Sequence, residues 1–167
     1  MDVLTYVLLL LFSFLGLIIG IFISKMTIEE ITRASRYLKY LNILLVPLIF
    51  LIASYNINSL YSIIFSSIVL ITLIVFKNKY NDAWTYACMG AALYISTISQ
   101  ESLNVSVLIF VYGISVATID ASAHYKKKIN GEIKLTEKTM LVKKILSKYT
   151  YYLLVGILFF VVFSYVL

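Results

Sequence analysis

The sequence predicts an all-α integral membrane protein: a six-helix transmembrane bundle with short connections and interfacial amphipathic helices. Three observations lead there. Of 167 residues, 62% are hydrophobic and only 13% charged, with a mean hydropathy of +0.97, and a soluble domain of this size has too little interior to hide that much apolar surface. The apolar residues gather in six runs bounded by charge; they do not alternate with polar residues as barrel strands do, so helices are expected. All fourteen lysines and arginines fall in the first, third and fifth connections between those runs.

The first run, 3–23, has 21 residues, enough to span a bilayer. "MDVLTY" brings no basic residue ahead of it, unlike a cleaved signal peptide. Connection 24–39 carries Lys25, Arg33, Arg36 and Lys39. Within it Thr27 and Glu30 have capping-box spacing and Glu29 and Arg33 can pair at i, i+4. Ile28, Ile31, Leu38 and Leu41 share one side, which suits a segment lying on headgroups and running into the second run, 40–55. Pro47 leaves the carbonyl of Ile43 without its helical donor and should bend that run.

The third run is 59–76, followed by "KNKYND" with Lys77 and Lys79. Asp82, ahead of Trp84, reads as an N-cap with an interfacial aromatic. The fourth and fifth runs, 83–99 and 103–119, are joined only by "QES" and should be antiparallel neighbours. Connection 120–148 holds eight lysines and an Asn130–Gly131 turn signal. Its "TEKTMLVKKILSKY" sets Leu141, Val142, Ile145, Leu146 and Tyr149 on one side, a basic amphipathic helix leading into the sixth run, 149–167. Chain 1–167 thus reads as a single polytopic domain.

The fourteen-to-nil division of basic residues places the first, third and fifth connections in the cytoplasm and both termini outside the cell membrane. The net charge of +6 then points to a bilayer with anionic headgroups and not to nucleic acid.

Small residues four apart mark helix seams: Gly16 and Gly20 in the first run, Ala87 with neighbouring Gly90 in the fourth, Gly113 and Ala117 in the fifth. The small faces of the fourth and fifth runs are expected to meet. Asp120 and His124 continue the fifth run's stripe, Ser102, Ser106, Gly113 and Ala117, at its cytoplasmic edge. They anchor the helix there, or form a proton, ion or partner site.

Catalytic sets are hard to assemble. One histidine and one cysteine, Cys88, exclude the usual zinc sets and any internal disulfide. Cys88 reads as a buried core residue. Asp82 and Asp120 are the only acids that could pair, and both sit at helix ends. Ser115 and His124 lie nine residues apart, on opposite sides of one helix. No catalytic residue, metal ligand or cofactor is therefore assigned. Tyr37, Tyr40, Tyr55, Tyr61, Tyr80, Tyr149, Tyr151 and Tyr152 read as an interfacial aromatic belt. The expected function is a non-enzymatic subunit, scaffold or accessory factor of a membrane assembly, through other subunits or self-association. A small transporter or channel along the polar stripe of the fourth and fifth runs is the alternative.

Overall fold

The structure, a computed structural model, describes residues 2–26, 28–75, 82–126 and 135–164. They form seven helices: α1 (Val3–Met26), α2 (Ile28–Tyr55), α3 (Ser59–Val75), α4 (Asp82–Ile98), α5 (Ser102–Lys126), α6 (Leu135–Tyr149) and α7 (Tyr151–Ser164). No strand occurs among the described residues.

Among the described residues, four stretches are long and apolar enough to cross a membrane: Val3–Lys25, Ala34–Tyr55, Ser102–His124 and Val142–Val162. The last runs through the joint of α6 and α7, where Thr150 alone interrupts the helix and its hydroxyl bonds the carbonyl of Leu146 at 2.9 Å. The helix that carries the sixth apolar run therefore begins well before position 149, at Leu135. α3 and α4 have 17 residues each, about 26 Å of helix against a hydrocarbon layer of about 30 Å. The two differ in setting. α4 buries Tyr86, Ala87, Met89, Gly90, Leu93 and Tyr94 among α2, α5 and α7, whereas α3 rests on α2 and buries only Ser62 and Ser66.

Local chemistry explains the breaks. Asn58 accepts the amide of Tyr61 at 3.3 Å and so caps α3. α4 ends in a Schellman-type turn, in which the Glu101 amide reaches the Ser96 carbonyl at 3.0 Å and Gln100 takes the left-handed conformation, φ 63°. α2 stays helical through Pro47. α5 continues to Lys126, so Asp120 and His124 ride on a helix and not in a connection. Asp82 is the first residue of α4, not its cap. The Thr27–Glu30 box, the Glu29–Arg33 pair, Lys77, Lys79 and the Asn130–Gly131 turn lie outside the described residues and side chains.

The glycine seams join different helices from those expected. Gly16 and Gly20 meet α5, where an added Cβ would strike the carbonyl oxygens of Phe110 and Ile114. Gly113 faces back, its would-be Cβ 3.3 Å from the amide nitrogen of Leu17, and Thr118 donates across the seam to the Gly20 carbonyl at 3.1 Å. Gly90 turns to α7 instead, with its would-be Cβ 2.7 Å from the Tyr152 carbonyl oxygen and 2.8 Å from the Gly156 nitrogen. The small faces of α4 and α5 are thus matched separately, to α7 and to α1. The reason is geometric: glycine against glycine allows a closer backbone approach than alanine against alanine.

Replacing Gly16 or Gly20 by Ala is expected to lower stability by about 1–3 kcal/mol, because the new methyl meets backbone that cannot swing away. That loss exceeds the roughly 1 kcal/mol of helix propensity gained. Thermal unfolding in detergent checks it, with the exposed Leu15→Ala as a control expected to change little.

Candidate functional site

The extension of α5 carries Asp120 beyond the apolar run to the level where α6 ends. There one carboxylate oxygen, Oδ2, accepts Lys148 Nζ at 2.6 Å and the Tyr149 hydroxyl at 2.6 Å. Tyr149 is fully buried and Lys148 half-exposed, its ammonium 4.9 Å from the Tyr149 ring centroid. Both donors are the last two residues of α6, so Asp120 holds the α6–α7 joint against α5. Lys148 at a helix C-terminus is also well placed for the helix dipole.

Asp82 joins this cluster from the first turn of α4. Burial pushes its carboxyl up to about 6, and the neighbouring Asp120 carboxylate pushes the same way; Lys148 and Lys39 offset part of the shift. One turn further along α4, Tyr86 sets its ring edge-on to Tyr149 at 5.6 Å. Groups from α2, α4, α5 and α6 therefore converge at the basic end of the bundle. His124 is exposed, and its Nδ1 lies 3.0 Å from the backbone carbonyl of Asp120, not from the carboxylate. The two expected site residues are neighbours without being a side-chain pair.

Below the cluster, phenols and one serine stitch the interior. Tyr86 donates to the Ser13 carbonyl at 3.1 Å, Tyr6 donates to the Gly156 carbonyl at 2.9 Å, and the Ser13 and Tyr152 hydroxyls share a hydrogen bond. Tyr86 also packs on Tyr152 at 4.7 Å and on Tyr112 at 6.0 Å. α1, α4 and α7 are thus cross-linked by side-chain hydroxyls bonded to neighbouring helices. Asn42 is the exception: it is 2% exposed and its Oδ1 has no partner among the described residues.

Sequence reasoning missed Tyr6, Ser13 and Tyr86, and it put Tyr149 and Tyr152 at the interface although both are fully buried. A signal for α1 was present, since Tyr6, Ser13 and Gly20 recur every seven residues in an otherwise largely apolar run. Tyr37, Tyr40, Tyr55, Tyr61 and Tyr151 are exposed, the last three at or within three residues of a helix end and the first two inside α2. Tyr80 lies outside the described residues. Cys88 is exposed, against expectation, because α4 turns Tyr86, Ala87, Met89 and Gly90 inward and leaves Trp84 and Cys88 on the opposite side. Ser115 bonds the Leu38 carbonyl at 3.4 Å and serves packing.

No known protein family, curated protein or solved structure matches the chain.

Chemically, the cluster pairs an occupied carboxylate with one that exchanges its proton near neutrality. The Asp82 carboxyl has a folded pKa of about 6 against 3.8 for the free group, so between those values the folded state holds a proton that the unfolded state has lost. Stability is therefore expected to fall as pH rises from about 4 to about 6, by up to roughly 3 kcal/mol, and to level off above. Asp82→Asn should flatten that slope in detergent unfolding, and Lys148→Ala should move its midpoint upward by removing a compensating charge. Separately, Tyr149→Phe should cost about 1.5–3 kcal/mol, the range for a hydrogen bond to a charged group, while the exposed Tyr151→Phe should be nearly silent.

Proposed function

We propose that the chain is a six-span protein of the cell membrane, acting as a non-enzymatic subunit, scaffold or accessory factor of a larger membrane assembly. Its outward surface supports the membrane setting: Leu4 and Leu8 on α1, Ile68 and Ile71 on α3, and Leu154 and Leu158 on α7 are all exposed, and large exposed apolar surface is what a membrane-facing protein presents. α3 and, beyond Asp82, α4 supply the third and fourth spans. α4 packs its inward side on α2, α5 and α7 and leaves Trp84, Cys88 and Ile98 outward, and α3, though short, has the roughly 17 residues that suffice at the lower limit. The distribution of Lys and Arg orients the basic end toward the cytoplasm, with exposed Lys39, Lys143, Lys144 and Lys148 near anionic headgroups.

The observation that carries the non-enzymatic reading is the use of the interior. Gly16 and Gly20 press backbone on backbone, and the buried phenol hydroxyls of Tyr6, Tyr86 and Tyr152 are bonded to neighbouring helices. The alternative, a small transporter with Asp120 and His124 at its mouth, gains less support. Thr97 and Ser106 on the polar stripe donate to carbonyls of their own helices, Tyr94 and Leu103, at 2.7 Å each, and offer little to a passing solute.

Two measurements test the reading. With Cys88 replaced by Ala, a cysteine at Lys143 should react in intact cells only with permeant reagents, and one at Ile57 with impermeant reagents. Labelling of position 143 from outside inverts the orientation. Mild-detergent extraction followed by native mass analysis should show a complex heavier than one 19.0 kDa chain. A clean monomer that drives solute flux in proteoliposomes would establish the transporter instead.

A further inference from the structure

Among the described residues, Asn42 alone keeps a buried side-chain oxygen, Oδ1, that no protein donor reaches, and the residue is 2% exposed. It stands four residues after Leu38, whose carbonyl accepts the Ser115 hydroxyl of α5. Residues four apart share a helix face, and a helical side chain leans toward the turn N-terminal to it. The Asn42 amide is thus carried over the Leu38 turn, where Ser115 enters. Ser115 is itself buried, as are Leu45 and Val46 on α2 and Val116 on α5. The crossing of α2 and α5 encloses a polar spot in apolar surroundings.

Donors and acceptors at this spot do not balance. Two acceptors, Asn42 Oδ1 and the Leu38 carbonyl, face one donor, the Ser115 hydroxyl, and one hydroxyl cannot serve both. Its contact with Leu38 is loose as well, 3.4 Å against the roughly 2.7–2.8 Å usual between a hydroxyl and an oxygen. Elsewhere on α5, Ser106 donates to the Leu103 carbonyl at 2.7 Å. A buried amide oxygen with no donor keeps the full cost of its lost hydration. Enclosed polar spots with two to four convergent partners are where proteins hold internal water.

We infer that the α2–α5 crossing binds one water molecule, which donates to Asn42 Oδ1 and to the Leu38 carbonyl and accepts from the Ser115 hydroxyl. Its two protons and one lone pair match two acceptors and one donor. A metal cation does not fit. The three oxygens are neutral, hard cations take about six or more oxygens with carboxylates among them, and Lys39 directly follows Leu38. The site rests on the packing of α2 against α5 and is independent of the membrane reading above.

The full-length, isotope-labelled chain is placed in lipid bilayers, and magnetisation transfer from water is read by proton-detected solid-state NMR. Wild type should give a water cross-peak at the Asn42 side-chain amide, while the backbone amide of buried Val46, one turn further along α2, gives none. Ser115→Ala removes one of the three partners and should weaken the peak by about half. Ser115→Thr keeps a hydroxyl at that position and should restore it. Thermal unfolding shows that each variant compared is folded. Absence of the peak in wild type, a peak unchanged in Ser115→Ala, or a peak lost when sodium is replaced by a bulky organic cation would each overturn the assignment.

Discussion

Two glycines on α1 bring its backbone against the carbonyls of Phe110 and Ile114 on α5, and the interior of the bundle takes its dimensions from that approach. In the membrane setting proposed above, helices gain nothing from hiding hydrocarbon, and close packing and hydrogen bonds would hold them. With α1 seated this near, Ser13 comes within reach of Tyr86 from α4 and Tyr152 from α7, and Tyr6 within reach of the Gly156 carbonyl. Tyrosine suits this task. Its ring fills volume that a serine would leave empty, and its hydroxyl forms a bond strengthened by the low local dielectric.

The basic end follows a different logic. Asp120 accepts both Lys148 and Tyr149 at Oδ2, and this ties the helical joint at Thr150 to α5. Asp82, next to it, gains from the dipole of α4 but is desolvated and faces a like charge. Lys39 and Lys148 reduce this conflict without removing it. The cluster is a mechanical clasp that also carries a titratable group, and both properties come from bringing several helix ends together where water still has access.

Much of the helix layout was legible because long apolar runs bounded by lysines leave little choice of element. Periodicity also located the glycine seams, although spacing within one helix cannot name the partner: Gly90 and Gly113 lie on faces that look equivalent in sequence, yet one meets α7 and the other α1. The Lys148–Asp120 contact, 28 residues apart, was invisible because it depends on α5 continuing past its apolar run. Tyr149 and Tyr152 were misplaced for a related reason. An aromatic residue at the end of a span satisfies an interface and an interior hydrogen bond equally well, and only the packing of Tyr86 decides between them. Cys88 failed on register, since its immediate neighbours Ala87 and Met89 face inward while it faces outward.

The order of synthesis gives the α1–α5 seam one further meaning. Gly16 and Phe110 are 94 residues apart in the chain, which at about 5–20 residues per second means roughly 5–20 s of elongation between the two. For that interval the glycine face of α1 has no permanent partner, while α2, α3 and α4 are already emerging. The α1–α5 seam is therefore among the later contacts to close as the chain is made.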